Sequence, residues 1–327
     1  MELHTSQVSF FKPILDGAQD SGVSINRLLK DSGLNKFNLD DFDNYVPISL
    51  MYAFFAAISK QQGIADLTEQ FSNQIQLTSL SQWGEMIAYA PNVLAACQLG
   101  VKYGNVICSH ERAGFKINGT RATYWQRFID KPTIGREQAD FISFIQALDG
   151  FRIAGGADWA PLEIHLQSDT SPNFDTLLPV GNNTKILLNQ PATAIVFPTS
   201  MLTKPMLSSE GANDIIINHQ VTDLSLVNKI ERLIDSRQAG LVPNMKLIAE
   251  MAESSTRTLQ RNLSKEGSSL SEIVDQWRLK TALKLLEEPG NSIKEISEKL
   301  SYSNVPNFER AFRRWTNTSP GRYQEML

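Results

Sequence analysis

Cysteine is scarce in this sequence of 327 residues, which contains only Cys97 and Cys108. Two cysteines cannot build a disulfide framework or a four-thiolate zinc site, so both are expected to be buried small hydrophobic residues. The sequence also lacks a nucleophile elbow, a glycine-rich phosphate loop and a His-x-x-x-His metal pair. These absences predict that the protein is not an enzyme and that it binds no cofactor and no metal ion.

Long hydrophobic runs are also missing. The densest apolar run, around Tyr52 to Ile58, is far shorter than the roughly 18 residues needed to span a bilayer. The first residues have neither the basic region nor the apolar region of a secretion signal. Since the hydrophobic content of 42% is that of an ordinary globular protein, we expect a folded cytoplasmic protein with two or three domains and no membrane association.

An excess of positive charge is missing from the chain as a whole, which has a formal net charge of -4. Such a balance alone would argue against nucleic acid as a partner. The charge is unevenly distributed, however. Residues 225–327 contain 16 Lys+Arg and 13 Asp+Glu, a net of +3, whereas the remaining residues contain 15 and 22, a net of -7. This asymmetry predicts two domains, of which the basic one is directed at nucleic acid.

The pattern of residues 1–204 predicts an α+β domain. Up to about residue 105 apolar side chains recur at helical spacing, most clearly from Ile48 to Ile58. Beyond this region Asn118-Gly119 separates two strand-like runs, as a hairpin turn would. Further predicted elements are a helix over Asp140–Leu148 and strands over Leu162–Leu166 and Thr193–Phe197. The stretch 205–224 is rich in Ser, Gly, Asn and Asp and predicts a linker.

Residues 225–327 read as helix after helix, and 245–265 have the pattern of a helix-turn-helix. Ser255 is a suitable N-cap for the second helix, on which Leu259 and Leu263 face inward one turn apart. The opposite face carries Arg257, Gln260, Arg261 and Ser264. Arg can bond a guanine edge through two donors and Gln an adenine edge, so this face predicts major-groove recognition. The alternative is an ordinary solvated helix face.

A second unit with the same pattern covers residues 293–315. Its first helix has an inner apolar stripe, and Ser303 or Asn304 is placed to cap its second helix. Phe308, Ala311, Phe312 and Trp315 share one face of that helix, and Arg310, Arg313 and Arg314 share the opposite face. Some of these arginines are alternatively expected to contact only phosphate or to pair with Glu309.

Between the two units, residues 269–288 contain no Gly and no Pro. As one helix this segment would span roughly 30 Å. Successive major grooves on one face of B-DNA lie roughly 34 Å apart. A single connecting helix could therefore place two recognition helices in neighbouring grooves.

These residues resemble the DNA-binding domain of AraC/XylS-type transcriptional regulators. The motifs that carry the resemblance are I-A-E-M-A, S-x-R-T-L-Q-R-x-L, W-R-L-K-x-A-L-x-L-L, I-K-E-I-S, F-x-R-A-F-R-R-W and S-P-x-x-Y. The resemblance implies seven helices with two helix-turn-helix units joined by a long helix. It implies the following base-facing residues: Thr256, Arg257, Gln260 and Arg261 in the first unit, and Val305, Pro306, Asn307 and Arg310 in the second.

The second unit departs from the family pattern. Ser301 stands where the family usually has Gly in the turn, and Val305 and Pro306 replace more usual polar residues. Two interpretations therefore remain open for this unit. It reads bases, or it acts mainly as a phosphate clamp through Arg310.

The N-terminal part resembles, more weakly, the effector domain of ornithine- and arginine-type regulators of the same family. The motifs are D-S-G-V-S-I-N-R-L-L, V-P-I-S-L and S-L-S-Q-W-G-E-M-I-A-Y-A-P-N-V-L-A-A-C-Q-L-G-V-K-Y. The resemblance implies a small-molecule sensor but no particular ligand. The helical first hundred residues exclude a cupin-type sugar pocket. Candidate residues for the effector pocket are Trp83, Trp125, Arg127, Arg152 and His165.

The leading hypothesis is a sequence-specific transcriptional activator controlled by a small molecule. Its expected partners are double-stranded DNA, a small-molecule effector, RNA polymerase and a second copy of the chain as a homodimer. One alternative is a regulator whose N-terminal domain only dimerises or docks a protein. A second alternative, an enzyme with a DNA-binding appendage, would need a nucleophilic cysteine among zinc-binding cysteines, which two cysteines do not supply.

Overall fold

The computed structural model describes residues 3–20, 22–60, 74–129, 133–169, 174, 177–179, 182–207, 224–238 and 241–326. The chain divides into two compact units. One consists of His4–Asn35 and Leu39–Leu224, and is called the N-terminal unit. The other consists of Ser225–Leu327 together with Met1–Leu3 and Lys36–Asn38, and is called the C-terminal unit. Most of the predicted linker 205–224 lies outside the described residues.

The N-terminal unit begins with helices, as its apolar spacing predicts. Its helices are α1 (Val8–Asp20), α2 (Ile25–Ser32), α3 (Ile48–Ile58), α4 (Ser81–Ala88), α5 (Val93–Ile107) and α6 (Ile134–Gly155). The predicted helix from Ile48 to Ile58 has these same bounds. The predicted helix over Asp140–Leu148 is the central part of the longer α6.

Two sheets complete this unit. Strands β1 (Thr5–Gln7) and β2 (Tyr45–Pro47) form an antiparallel pair. The larger sheet contains β3 (Glu111–Asn118), β4 (Arg121–Phe128), β5 (Glu163–His165), β6 (Lys185–Leu187) and β7 (Thr193–Pro198). Its order is β3-β4-β7-β5-β6, with every neighbouring pair antiparallel except β5 and β6. The predicted α+β N-terminal domain, with helices and a sheet, is therefore confirmed.

The hairpin between β3 and β4 follows from its turn residues. Asn118 pairs with Arg121, so the two turn residues are Gly119 and Thr120, one position later than the predicted Asn118-Gly119 turn. Gly119 has a φ of +58°, a conformation that glycine adopts without steric cost. The short turn fixes the register, and the register decides which side chains of β4 face the helices.

The described residues of the C-terminal unit from 225 onward form seven helices. They are α7 (Leu226–Asp235), α8 (Met245–Met251), α9 (Thr256–Lys265), α10 (Leu270–Glu287), α11 (Ile293–Lys299), α12 (Val305–Thr316) and α13 (Pro320–Gln324). The all-helical fold with two helix-turn-helix units and a long helix between them is confirmed. The long helix α10 has 18 residues and is about 27 Å long.

No helix in the described part of the chain is long and apolar enough to cross a membrane.

Candidate functional site

The first candidate recognition helix, α9, begins where the sequence predicts. Ser255 is its N-cap, and the Ser255 hydroxyl accepts a hydrogen bond from the backbone N–H of Thr258 at 3.1 Å. Glu253, in the turn before it, has a φ of +46°, which lets the chain reverse direction between α8 and α9. Leu259 and Leu263 are buried at 3% and 1% exposure. These two anchors fix which face of α9 points outward.

That outward face carries the four predicted base-facing residues of the first unit. Thr256, Arg257, Gln260 and Arg261 are all exposed. Within the described residues, no hydrogen bond or ion pair engages the side chains of Arg257, Gln260 or Arg261. Two guanidinium groups and one amide are thus presented to solvent on one helix face. This arrangement is free to bond base edges in a major groove.

The N-terminus of α7 is tied to the end of α9 by a carboxylate. Glu266 accepts hydrogen bonds from the backbone N–H groups of Leu226 and Val227, both at 3.1 Å. A negative charge at a helix N-terminus also interacts favourably with the helix dipole. The recognition helix is therefore held by a neighbouring helix and not only by its own turn.

The second candidate recognition helix, α12, has a comparable start. Asn304 is its N-cap and accepts from the backbone N–H of Asn307 at 3.0 Å. Ser301, in the preceding turn, has a φ of +61°. This left-handed conformation gives the physical reason for glycine at the same place in the family pattern. Pro306 lies in the first turn of α12, where its missing N–H would have had no helical partner.

The three arginines of α12 are exposed but differ in their partners. Arg310 donates to the side-chain oxygen of Asn307, and Arg313 lies 3.4 Å from Glu309 on the same helix. Arg314 instead forms a 2.7 Å ion pair with Asp275 of α10. Pairs along one exposed helix are weak and exchange readily for phosphate. The structure thus places Arg310 and Arg313 on the free surface and engages Arg314 between two helices.

A buried cluster joins α10, α11 and α12. It consists of Ala282, Leu286, Ile296, Leu300, Phe308 and Phe312. Trp277 and Trp315 pack against this cluster. At the α11 end, the guanidinium group of Arg278 stacks on Tyr302, with its Cζ 4.4 Å from the centre of the ring. Arg278 Nε also donates a hydrogen bond to the Leu300 carbonyl at 3.1 Å. These contacts fix α12 on the long helix.

The long helix α10 is also bonded to α7, which contacts the end of α9. Trp277 Nε1 donates to Asp235 of α7 at 2.6 Å. The backbone of α7 is hydrogen-bonded in turn to Glu266 at the end of α9. One connected set of contacts therefore runs from α9 through α7 and α10 to α12. The two recognition helices are therefore carried on one packed helical unit.

A second candidate site is a cavity inside the N-terminal unit. Its volume is about 60 Å³. It lies among α4, α5, α6 and the β3–β4 hairpin. Most of its wall is apolar, with contributions from Phe10, Leu77, Ile87, Val93, Ile107 and Phe151. Cavities of this kind are the usual binding sites for small molecules.

Few polar groups reach this cavity. Those of the described residues belong to Trp83, Glu111, Tyr124, Gln126, Ser143 and Gln146, and the Gln146 amide donates to the Phe10 carbonyl at 3.2 Å. The Ser143 hydroxyl donates to Glu111 Oε1 at 2.7 Å. Trp83 Nε1 and Gln126 Nε2 are buried nitrogen atoms without a hydrogen-bond partner among the described residues. The cavity thus has two donors that nothing in the described protein satisfies.

Burial changes the acid–base behaviour of two wall residues. It raises the pKa of Glu111 to about 7, since desolvation outweighs the hydrogen bond from Ser143 and the nearby Asp140 charge adds to the rise. It also raises the pKa of the Cys97 thiol to about 12. Cys97 is therefore a neutral thiol, in agreement with its expected role as a small buried hydrophobic residue, and Cys108 is buried as well.

Glu111→Gln is expected to stabilise the N-terminal unit at pH 8 and not at pH 5. The folded-state pKa is raised, so the wild-type fold loses stability as pH rises from about 4.5 to 7. Glutamine keeps the acceptor for Ser143 and removes this cost. The gain at pH 8 should be on the order of 2–3 kcal/mol in the free energy of unfolding. Urea unfolding at both pH values measures it. A gain of equal size at both pH values would contradict the raised pKa of Glu111. Glu85→Gln, which changes an exposed acid, serves as the control.

Of the five residues predicted for the effector pocket, the structure places only Trp83 in the cavity wall. Trp125 and Arg127 alternate with Tyr124 and Gln126 on β4, so they point to the other face of the sheet. Trp125 covers Gly114 there, where an added Cβ would lie 2.1 Å from its ring.

The two remaining candidates have partners away from the cavity. Arg152 donates to the backbone carbonyls of Trp159 and Leu177. His165 Nε2 lies 3.1 Å from Glu163, which also accepts from Arg121 at 2.7 Å. Both side chains are therefore engaged in contacts that order the loop and the strands around them.

The polar residues of the cavity were missed because nothing in the local sequence marks them. Glu111 is the first residue of β3 and Ser143 lies within α6, and they meet only when the helix packs on the sheet. The alternation along β4 could have selected Tyr124 and Gln126 as a pair sharing one face. It could not have shown which face is covered by helices.

Two family models match the chain. One, described as the arabinose-binding domain of AraC transcription regulator, matches residues 22–206, and the other, a helix-turn-helix domain, matches residues 248–326. Over 324 residues the chain is 25% identical to an uncharacterised HTH-type transcriptional regulator of Mycobacterium tuberculosis, and the match covers 94% of this chain and 92% of that protein.

Two further similarities concern proteins of Pseudomonas aeruginosa. The chain is 29% identical over 144 residues to the ornithine utilization regulator, and the match covers 42% of this chain and 42% of that protein. The crystal structure of the transcriptional regulator CdpR aligns with 96% of this chain and 97% of its own, at 16% identity and a TM-score of 0.46. The matched families and relatives are transcription regulators and not enzymes.

Proposed function

Because the chain belongs to the AraC family of transcription regulators, we propose that it is a sequence-specific activator controlled by a small molecule held in the cavity of its N-terminal unit. It is a DNA-binding regulator with an N-terminal domain of the arabinose-binding type. The finer proposal concerns how it binds DNA, what switches it and what it does to transcription.

The observation that carries the DNA-binding proposal is the pair of recognition helices on one long helix. Helices α9 and α12 each expose Arg side chains; α12 packs on α10 through the buried cluster, and α9 is linked through α7 to α10. At about 27 Å this helix is shorter than the roughly 34 Å between successive major grooves. In this proposal the long side chains of the two recognition helices cover the difference. Arg257, Gln260 and Arg261 read bases in one groove, and Asn307 with Arg310 enters the next.

The two helices have different roles in this proposal. On α9, no described partner competes for the long polar side chains, so they are available for base edges. On α12, Val305 and Pro306 offer no donor at the positions nearest the helix start. Arg310 and Arg313 therefore act mainly on phosphate, which positions the domain without reading sequence. Arg314 holds α12 in place through Asp275.

Control by a small molecule is supported by the cavity and by its unsatisfied donors. A relative that is named for ornithine utilization is in keeping with control by a metabolite. Ligand binding would alter the packing of α4, α5 and α6 around the cavity and so favour one state of the regulator. Residues 205–224 would transmit the change. An activator of this kind acts in the cytoplasm as a homodimer and contacts RNA polymerase.

A thermal-shift panel of small metabolites of several charge classes tests ligand control with the full-length protein. A ligand at 100 times its Kd should add about 2.7 kcal/mol to the unfolding free energy. Ala147→Leu places a larger side chain in the cavity wall and should abolish the shift. Ala53→Leu, on an exposed face of α3, should not. A flat response to every class would favour an N-terminal unit that only dimerises or docks a protein.

A further inference from the structure

We infer that the cavity takes an uncharged, mainly apolar small molecule that carries a hydrogen-bond-accepting oxygen, and that it rejects carboxylates, amines and sugars. The inference rests on the proposed function, since it names the ligand class of the same cavity. Three properties of the wall carry it: its apolar surface, its two free donors and its charge.

The apolar surface excludes a sugar. A monosaccharide presents hydroxyl groups on most of its edge, and each needs a partner when water is removed. Among the described residues the cavity offers six polar side chains that the ligand could use, and two of them, Ser143 and Gln146, already donate to Glu111 and to the Phe10 carbonyl. Most hydroxyl groups of a sugar would face Phe, Leu, Ile and Val side chains. A mainly apolar ligand leaves no such groups unsatisfied.

The free donors require an acceptor on the ligand. Trp83 Nε1 is buried, and Gln126 is only 4% exposed with its Nε2 buried as well. A buried donor without a partner is energetically unfavourable. A carbonyl or similar oxygen on the ligand would accept from these groups and recover that cost. The two donors therefore select for an oxygen with lone pairs.

The charge of the wall excludes both ionic classes. Among the described residues that line the cavity there is no Lys, Arg or His, and the acid is Glu111. A carboxylate ligand would be buried beside this acid without a counter-ion, which is strongly unfavourable. An ammonium group could pair with Glu111, but it has no lone pair for Trp83 and Gln126. Only an uncharged acceptor suits all three groups.

Four probes of nearly equal size separate the classes: hexanamide, hexanoate, hexylamine and L-arabinose. Calorimetry and thermal shift with the full-length protein at pH 7.5 should show that hexanamide binds at least tenfold more tightly than each of the others. Tighter or equal binding of hexanoate, hexylamine or arabinose would overturn the inference while leaving ligand control intact. If none of the four binds, the inference is wrong, and the DNA-binding assays described below decide separately whether the regulatory function stands.

Two variants test the residues behind the inference. Trp83→Phe keeps the ring but removes the N–H, and should weaken hexanamide binding three- to tenfold. Glu111→Gln removes the charge and should bring the affinity for hexanoate to within about threefold of that for hexanamide. Glu85→Gln, an exposed acid outside the cavity wall, should change neither affinity. Unchanged preferences in both cavity variants would show that these groups do not meet the ligand.

Discussion

Replacing Arg257 and Arg261 together by alanine is expected to abolish discrimination between the preferred DNA site and unrelated DNA. Both side chains are exposed on α9, and neither has a hydrogen-bond or ion-pair partner among the described residues. Each bidentate contact to a base is worth about 1–3 kcal/mol of discrimination. The double variant should therefore bind the preferred site about 30- to 20,000-fold more weakly, since each 1.4 kcal/mol is a factor of ten. Competition binding on a site selected from random DNA measures this loss.

The comparison with unrelated DNA separates base reading from simple charge loss. Non-specific affinity should fall much less, because the arginines of α12 and the rest of the basic surface still contact phosphate. Arg322→Ala is the matched control, since it removes an exposed arginine of the same unit that lies outside both recognition helices. Equal weakening on preferred and unrelated DNA would assign Arg257 and Arg261 to phosphate contacts instead.

Phe312→Ala is expected to destabilise the second helix-turn-helix by about 3–5 kcal/mol. The ring is fully buried and lies 5.8 Å from the Phe308 ring and 5.7 Å from the Tyr323 ring. Its removal leaves a cavity at the point where α10, α11 and α12 meet. Hydrogen exchange of the full-length protein should show lost protection in α11 and α12 and little change in α9.

The matched control for this change is Met326→Ala, which shortens an apolar side chain that is 75% exposed in the same unit. It creates no cavity and should leave the exchange pattern unchanged. Equal loss of protection in α9 and α12 would mean that the two units unfold together. Unchanged protection in α12 would mean that the buried cluster does not hold this helix.

The C-terminal unit could be predicted from its sequence because its determinants are local. Ser255 and Asn304 cap helices through residues three positions away, and the spacing of Leu259 and Leu263 sets the exposed face of α9. The role of Arg314 could not be predicted in this way. Its partner, Asp275, is 39 residues distant in sequence and becomes a neighbour only when α12 packs on α10.

The cavity is the part of the structure that could not be predicted from the sequence. Trp125 and Arg127 were reasonable candidates for a ligand pocket by residue type, yet strand alternation directs them away from it. Glu111 and Ser143 are 32 residues apart and belong to a strand and a helix, so neither periodicity nor a motif connects them. A site built from long-range packing of this kind becomes visible only with the tertiary structure.

Hydroxyl-radical footprinting of the full-length protein on its selected DNA site tests most directly whether one long helix sets two recognition helices into neighbouring grooves. Two protected patches are expected on one face of the DNA, about one helical turn or 34 Å apart. The double arginine variant should lose the patch at the base-reading groove, and Phe312→Ala should lose the other. A single patch with the wild-type protein, or two patches on opposite faces of the DNA, would contradict this arrangement.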